Sequence, residues 1–340
     1  MTNVMNELVP LDKIFMNTSS PVVLSKTETF KHTSINNDPT ILVNKKPFIT
    51  QKYYAGDLSI PEDERMNFLH PVSNYNLNVA ETFNPHAGMH VFVTQHPALN
   101  TFFGKNIPLI IFPMYVQDEL SGRVKLNIDE KFIHKISHNT GLTFITESVP
   151  TGNVCMAGNS EFRPDFRITF SPTHLLNYIY AAAQSTVPPE MIMTDAFSPH
   201  IPVPVDSDMF WQLVEAGTIL RELHLLQSPH VKSTINILAT PLIHPTEFPL
   251  KVEQVKWEAN SDGKTGRIWL NDKHHIPNIP LSSWNFRIGD YYPLRQWNEY
   301  RQVTFFNEKA LHHFVSIINV VSKTTRMIAK IDKILNRSFT

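Results

Sequence analysis

Proline sets the tightest limit on what this chain can fold into. The 340 residues contain 25 prolines and only 11 glycines. Each proline fixes its own φ, removes a backbone donor and keeps the residue before it out of the helical region. The chain therefore reads as short elements joined by rigid turns rather than flexible linkers. Ser198-Pro199-His200-Ile201-Pro202-Val203-Pro204 predicts an extended linker. Helices are expected on both sides of it. Ser171-Pro172-Thr173-His174 is a start signal, with Ser171 as cap and Pro172 at the first helical position. Leu175, Leu176, Tyr178, Ile179, Ala182 and Ala183 follow at helical spacing, and Ser185 to Pro189 stops the run. Asp206 or Ser207 caps a second helix over about Met209 to Leu226. Phe210, Leu213, Val214, Gly217, Leu220, Leu223 and His224 fall near one face of it.

The N-terminal part reads mainly as strands. Thr40 to Val43 is one, Met89 to Val93 alternates, and Pro108 to Val116 is an apolar run suited to a buried strand. Asn127 to Leu142 predicts a polar helix, with Asp129 and Glu130 in its first turn and Gly141 closing it. Further on, Lys251 to Trp257, Gly266 to Leu270 and the alternating Trp284, Phe286 and Ile288 predict an antiparallel meander. Asn260-Ser261-Asp262-Gly263 supplies a turn within it, and Gly289-Asp290 another after it. Trp297 sits where a helix can begin, and a long helix is expected from about Lys309 to Asn336. The expected fold is α+β: a mixed or antiparallel sheet in the N-terminal part, a helical middle, a small antiparallel meander and a long C-terminal helix. The expected division is 1–205 and 206–340.

Composition limits function more than fold. Hydrophobic residues at 42% and charged residues at 18% are ordinary for a globular protein. The formal net charge is −1, so nothing global attracts nucleic acid or membrane, and a DNA reader would need a locally basic face. Cys155 is the only cysteine, which excludes an internal disulfide and a cysteine-based zinc knuckle and suits a reducing compartment. No secretion signal or bilayer-length apolar run is read, so a cytoplasmic protein is expected. There is no Gly-rich phosphate loop, no Gly-x-Ser-x-Gly elbow and no Asn/Asp-Pro-Pro-Tyr/Phe signature of adenine-amino methyltransferases. His86 and His90 have i, i+4 spacing, but Pro85 and Gly88 oppose a helix there. The neighbours His274-His275 and His312-His313 do not point at one ion. By itself the chain does not read as an enzyme, and no cofactor is expected on it.

Three stretches interleave cations with aromatics. They are Lys45-Lys46-Pro47-Phe48 through Lys52-Tyr53-Tyr54, then Glu161-Phe162-Arg163-Pro164-Asp165-Phe166-Arg167, and Trp284 through Arg287 and Tyr291-Tyr292 to Arg295. Such residues hold phosphates and stack on bases, and the same pattern describes a half-exposed strand with snorkelling side chains. The terminal helix carries Lys323, Arg326, Lys330, Lys333 and Arg337 against Asp332. That face is either solvated, with cations complementing the helix dipole, or a surface that tracks phosphates.

Taken in order, these segments resemble the C-terminal specificity region of single-polypeptide restriction–modification enzymes, the Type ISP class and its Type IIG-like relatives. Ile14-Phe15 to Ser19-Ser20 resembles that family's Ile-Phe-x-x-Tyr-Ser-Ser-Gly, and Lys46-Pro47-Phe48 to Tyr53-Tyr54 its Arg-Pro-Phe-Asp-x-Arg-x-x-Tyr-Tyr. Phe112-Pro113-Met114-Tyr115 is similar to Phe-Pro-Leu-Tyr, and Tyr178-Ile179-Tyr180 to Ser185 to the Tyr-Ile-Tyr-Ala-x-Leu-His-Ser helix. His200-Ile201-Pro202-Val203-Pro204 resembles Arg-Ile-Pro-x-Pro, and Leu223-His224-Leu225-Leu226 is similar to the Leu-His-Leu-Leu helix. Trp284 to Tyr291 resembles Trp-x-Phe-x-Ile-Gly-Gly-Tyr, and Thr324-Thr325-Arg326-Met327 to Asp332 the terminal helix. Here Asp290 replaces the second glycine, His200 replaces the linker arginine, and lysine, isoleucine and lysine stand for the arginines and aspartate near residue 49. A lysine keeps the charge but loses the bidentate fork.

The resemblance implies a non-catalytic module that recognises a duplex DNA target for an adenine methyltransferase or restriction subunit. That partner would carry S-adenosylmethionine, and this chain would be a separate, split or remnant module. It implies DNA contacts at Lys45, Lys46, Lys52, Tyr53, Tyr54, Arg163, Arg167, Arg287 and Arg295. A decayed module that binds only protein and a histidine-dependent metal hydrolase are the competing expectations.

Overall fold

The computed structural model describes residues 7–19, 40–54, 75–80, 89–117, 121–146, 167–186, 199–228, 243, 245–252, 255–301 and 305–339. The expected α+β class is what it shows: small sheets, mostly antiparallel, around packed helices.

Strand β1 (Leu8–Pro10) leads into the short helix α1 (Leu11–Ile14). Strands β2 (Thr40–Lys46) and β3 (Ile49–Tyr54) form an antiparallel hairpin closed by Pro47-Phe48. Strand β4 (Asn76–Ala80) lies between β5 (Val91–Thr94) and β6 (Leu109–Pro113). All five residues of β4 are buried, Asn76 and Asn78 included, so its two faces are both covered. A second hairpin, β7 (Tyr115–Gln117) with β8 (Val124–Leu126), precedes helix α2 (Glu130–Thr140). Asp129 caps α2 by accepting from the Lys131 amide, and Gly141 ends it at φ 71.

Strand β9 (Thr143–Phe144) pairs in parallel with β10 (Thr169–Phe170), which enters helix α3 (Pro172–Ala182). The predicted cap is in place. Ser171 and His174 form a reciprocal capping box with Pro172 in the first turn. The extended linker becomes strand β11 (His200–Pro202), paired antiparallel with β1. Asp206, not Ser207, caps helix α4 (Ser207–His224) through the Met209 amide.

The meander differs from expectation. Its strands are β13 (Lys256–Ala259), β14 (Thr265–Trp269) and β15 (His275–Pro280). The preceding β12 (Leu250–Lys251) pairs with β16 (Phe305–Phe306) instead. The alternating stretch Trp284-Phe286-Ile288 is not a strand. Leu281–Trp284 forms a helical turn, α5, and Asn285 donates to the Leu281 carbonyl. Ser283 is buried and shares a hydrogen bond with Ser322, which anchors that turn. Three alternating apolar residues were too few to outweigh this tertiary contact. Helix α6 (Pro293–Arg301) follows, with Trp297 in its body rather than at its start. Helix α7 (Glu308–Phe339) closes the described chain. Among the described residues no helix is long and apolar enough to cross a membrane.

Two buried clusters make the core. One gathers Leu11, Phe112, Phe170, Tyr178 and Phe210, and the other Phe48, Phe92, Ile268, Trp297 and Phe314. Helix α7 belongs to both, through Ile331 and Leu335 in the first and Phe314 and Ile318 in the second. A buried polar chain also ties the helices. The Tyr180 hydroxyl meets His224 Nδ1, and His224 Nε2 lies 2.9 Å from the Thr324 hydroxyl. Phe92 stacks on the imidazole at 5.0 Å. Burial pushes the His224 pKa down to about 3, so the ring is neutral and uses one nitrogen to donate and one to accept.

Candidate nucleic-acid interface

The hairpin β2–β3 is held to the segment that follows β5. Asn44 anchors it: its amide donates to the Pro97 carbonyl at 2.8 Å, and its carbonyl accepts from Leu99 at 3.0 Å. Its side chain donates to the His96 carbonyl at 2.9 Å and accepts from Thr50 at 3.0 Å. Just beyond Asn44 the register shifts. Asn44 pairs with Thr50 and Lys46 with Ile49, so Lys45 is an extra residue on its strand. Such a bulge re-aims its neighbours. Lys46 turns inward, is 2% exposed and donates to the Thr101 carbonyl. Phe48 adopts φ 66, and its ring packs edge-on to Phe92 at 5.2 Å. Burial of that ring offsets the cost of a left-handed aromatic residue.

A second loop, from the C-terminal part, is held to Met89 and Phe103. Met89 donates to the Arg287 carbonyl at 3.1 Å, Gly289 to the Met89 carbonyl at 2.9 Å and Asp290 to the Phe103 carbonyl at 2.7 Å. Gly289 has φ 58, and a Cβ there would sit 2.6 Å from the Phe103 carbonyl oxygen. Gly289 therefore takes the left-handed position, while Asp290 is absent from the positive-φ residues. The aspartate leaves the turn intact. Its carboxylate lies over Gly104, where a Cβ would come within 2.9 Å of Oδ2. Gly289→Ala is expected to destabilise the chain by roughly 2 kcal/mol through strain and contact. Thermal unfolding checks this, and a midpoint equal to wild type would show that the loop relaxes freely.

Lys45, Lys46, Lys105 and Asp290 thus form one electrostatic group. Burial pushes the Lys46 pKa down to about 8; Asp290 opposes the shift, and Lys45 and Lys105 add to it. Lys45 is half-buried and is itself lowered by burial, while Lys105 is exposed. The hairpin bulge, the Gly104-Lys105 turn and the Gly289 turn converge on a basic edge.

A model of the Type ISP C-terminal specificity domain matches residues 16–330. The chain belongs to the Type ISP C-terminal specificity domain family. Among solved structures, it resembles the ATP-dependent Type ISP restriction-modification enzyme LlaBIII bound to DNA, at 15% identity and a TM-score of 0.53. It also resembles the DrdV-DNA complex, at 15% identity and a TM-score of 0.56. These likenesses cover 90% and 88% of this chain but only 19% and 29% of those chains. The specificity domain spans less than a third of either. No curated protein sequence matches it.

Among the described residues, the expected contact residues are spread over several elements. Lys45 joins the basic edge, Lys46 is buried beneath it, and Lys52 is exposed farther along β3. Tyr53 and Tyr54 stand in β3 opposite Ile41 and Thr40. Arg287 is half-buried beside the Gly289 turn. Arg295 is held between Trp284 at 5.1 Å and Tyr292 at 4.7 Å, donates to the Trp284 carbonyl at 3.2 Å and bonds Asn285. These contacts make it a brace for the α5–α6 corner. Arg167 lies over Trp211 at 5.1 Å on α4. Arg163, Cys155 and His86 fall outside the described residues. Lys105 was missed, although Phe102-Phe103-Gly104-Lys105 has the same adjacency of aromatics and cation. Among the described residues no three or more His, Cys, Asp or Glu side chains group as metal ligands.

Proposed function

We propose that this specificity domain recognises a target sequence in duplex DNA on behalf of an adenine-specific methyltransferase. The methyltransferase motif and S-adenosylmethionine would lie on another polypeptide or another part of the same one, and the domain itself would be non-catalytic. The observation that carries the reading is the basic edge at Lys45 and Lys105 in a chain of this family. The DNA-bound state of both LlaBIII and DrdV supports it. In this reading Lys45, Lys105 and Lys52 hold phosphates, and Tyr53, Tyr54 and Arg287 are further DNA contacts. Arg295 acts by bracing Trp284 and Tyr292, and Lys46 supports the edge from below.

The test is binding to random and candidate-target duplexes across a salt series, with and without a methyltransferase from the same locus. The double variant Lys45→Gln, Lys105→Gln is expected to lower the slope of log affinity against log salt by about 2. Lys46→Met is expected to leave that slope unchanged. Absence of DNA binding at low salt, alone and with the methyltransferase, would overturn the reading and leave a protein-interaction module.

A further inference from the structure

We propose that the outer face of α7 is a further duplex-DNA contact, a straight row of cations that tracks phosphates. Lys323, Arg326, Lys330, Lys333 and Arg337 recur at alternating steps of three and four residues, so they share one face of the helix. Arg326, Lys330, Lys333 and Arg337 are exposed, and Lys323 is half-buried. Val320, Thr324, Ile331, Ile334 and Leu335 are buried on the side packed against the core. The row therefore points outward along a rigid rod of about 21 Å at 1.5 Å per residue. That length matches about six base-pair steps at 3.4 Å per phosphate of one strand.

The helix dipole does not account for this row, because its effect fades within the last turn. Arg337 lies there, but Lys323 stands about four turns before the end at Phe339. The ion pair seen on the row is weak: Lys330 approaches Glu215 of α4 at 3.7 Å with both side chains largely exposed. Asp332 lies off the row and accepts from the Ser185 hydroxyl at 2.7 Å and the Thr186 amide at 2.9 Å. Like charges at these spacings destabilise an isolated helix, and a polyanion removes that repulsion. A rigid row of charge suits the stiff backbone of a duplex.

This inference rests on the DNA reading above, and its test separates the two. The full chain and a variant carrying Lys323→Gln, Arg326→Gln, Lys330→Gln, Lys333→Gln and Arg337→Gln are titrated with a duplex longer than the row. Glutamine keeps the length and helix propensity of the replaced residues. The variant is expected to lose about 3 or more from the salt slope and about tenfold or more in affinity at moderate salt. Its thermal midpoint should be equal or higher, which separates lost contact from lost folding. If the variant keeps the wild-type slope while Lys45→Gln, Lys105→Gln lowers it, the row is not a DNA contact and the DNA reading stands. If it keeps DNA affinity but no longer associates with the methyltransferase, the row docks a protein and the proposal falls. If the wild-type chain binds no duplex, both fall.

Discussion

Gly217→Ala is expected to destabilise this chain by about 4 kcal/mol or more. On an ordinary helix surface the same change would gain about 1 kcal/mol of helix propensity. The difference lies in packing. A Cβ at position 217 would sit 1.9 Å from the Asn177 carbonyl oxygen and 2.6 Å from its carbonyl carbon. Those are backbone atoms of α3, so no side chain can swing aside and the two helices must part. Their separation would also break a buried polar set. Asn177 donates to the Thr218 hydroxyl at 2.8 Å and accepts from Arg221 Nε at 2.9 Å, while Arg221 reaches the Tyr75 hydroxyl at 3.0 Å. Asn177 and Arg221 are both buried, and a guanidinium left without these partners is costly. Urea unfolding of the purified variant measures the loss. A loss below about 1 kcal/mol would show that the α3–α4 contact can open without penalty.

Lys46→Met is expected to change how stability depends on pH. Burial pushes the Lys46 ammonium down to a pKa of about 8 in the folded chain, against an ordinary value of 10.5. Between these values the unfolded chain holds a proton that the folded chain has released. Stability from this group therefore rises as pH climbs from about 8 to 10.5, and below pH 8 the buried charge is a full burden. The methionine variant lacks this dependence. Its stability relative to wild type should be most favourable below about pH 8 and should fall by about 3 kcal/mol by pH 10.5. Loss of the bond to the Thr101 carbonyl lowers the variant by a roughly constant amount across that range. Urea midpoints of both chains at several pH values give the difference, and a flat difference would show that Lys46 is not desolvated. Together with an unchanged DNA salt slope, the pH signature distinguishes Lys46 from its neighbours Lys45 and Lys105.

Much of the fold was legible because its signals are local. Ser171-Pro172, Asp206 and Gly141 mark helix ends through hydrogen bonds made within a turn of the chain. The Asn260 to Gly263 turn and the long terminal helix are equally local. The third strand of the meander was misplaced. His275-Ile276-Pro277-Asn278-Ile279-Pro280 carries two prolines, and Asn278 sits at φ 60, so it does not look like a strand. Its place comes from pairing with β14 across the Leu270 to His274 loop, and that pairing is a contact between strands, not a pattern within one. Family resemblance was legible as an ordered series of motifs, but not the reason they go together. Tyr180, His224 and Thr324 come from three of those motifs and meet in one buried hydrogen-bonded chain.

The sequence alone determined the long helices α2, α3, α4 and α7, the α+β class and the family, because caps, prolines and motif order are properties of neighbouring residues. Tertiary structure alone decided which cations face water. One bulged residue at Lys45 rotates Lys46 into the core, where its charge is acted on by Lys45 and by Lys105, a residue about sixty positions away. Burial depends on everything packed around a side chain, and a pattern of lysines and tyrosines along one strand does not contain that information.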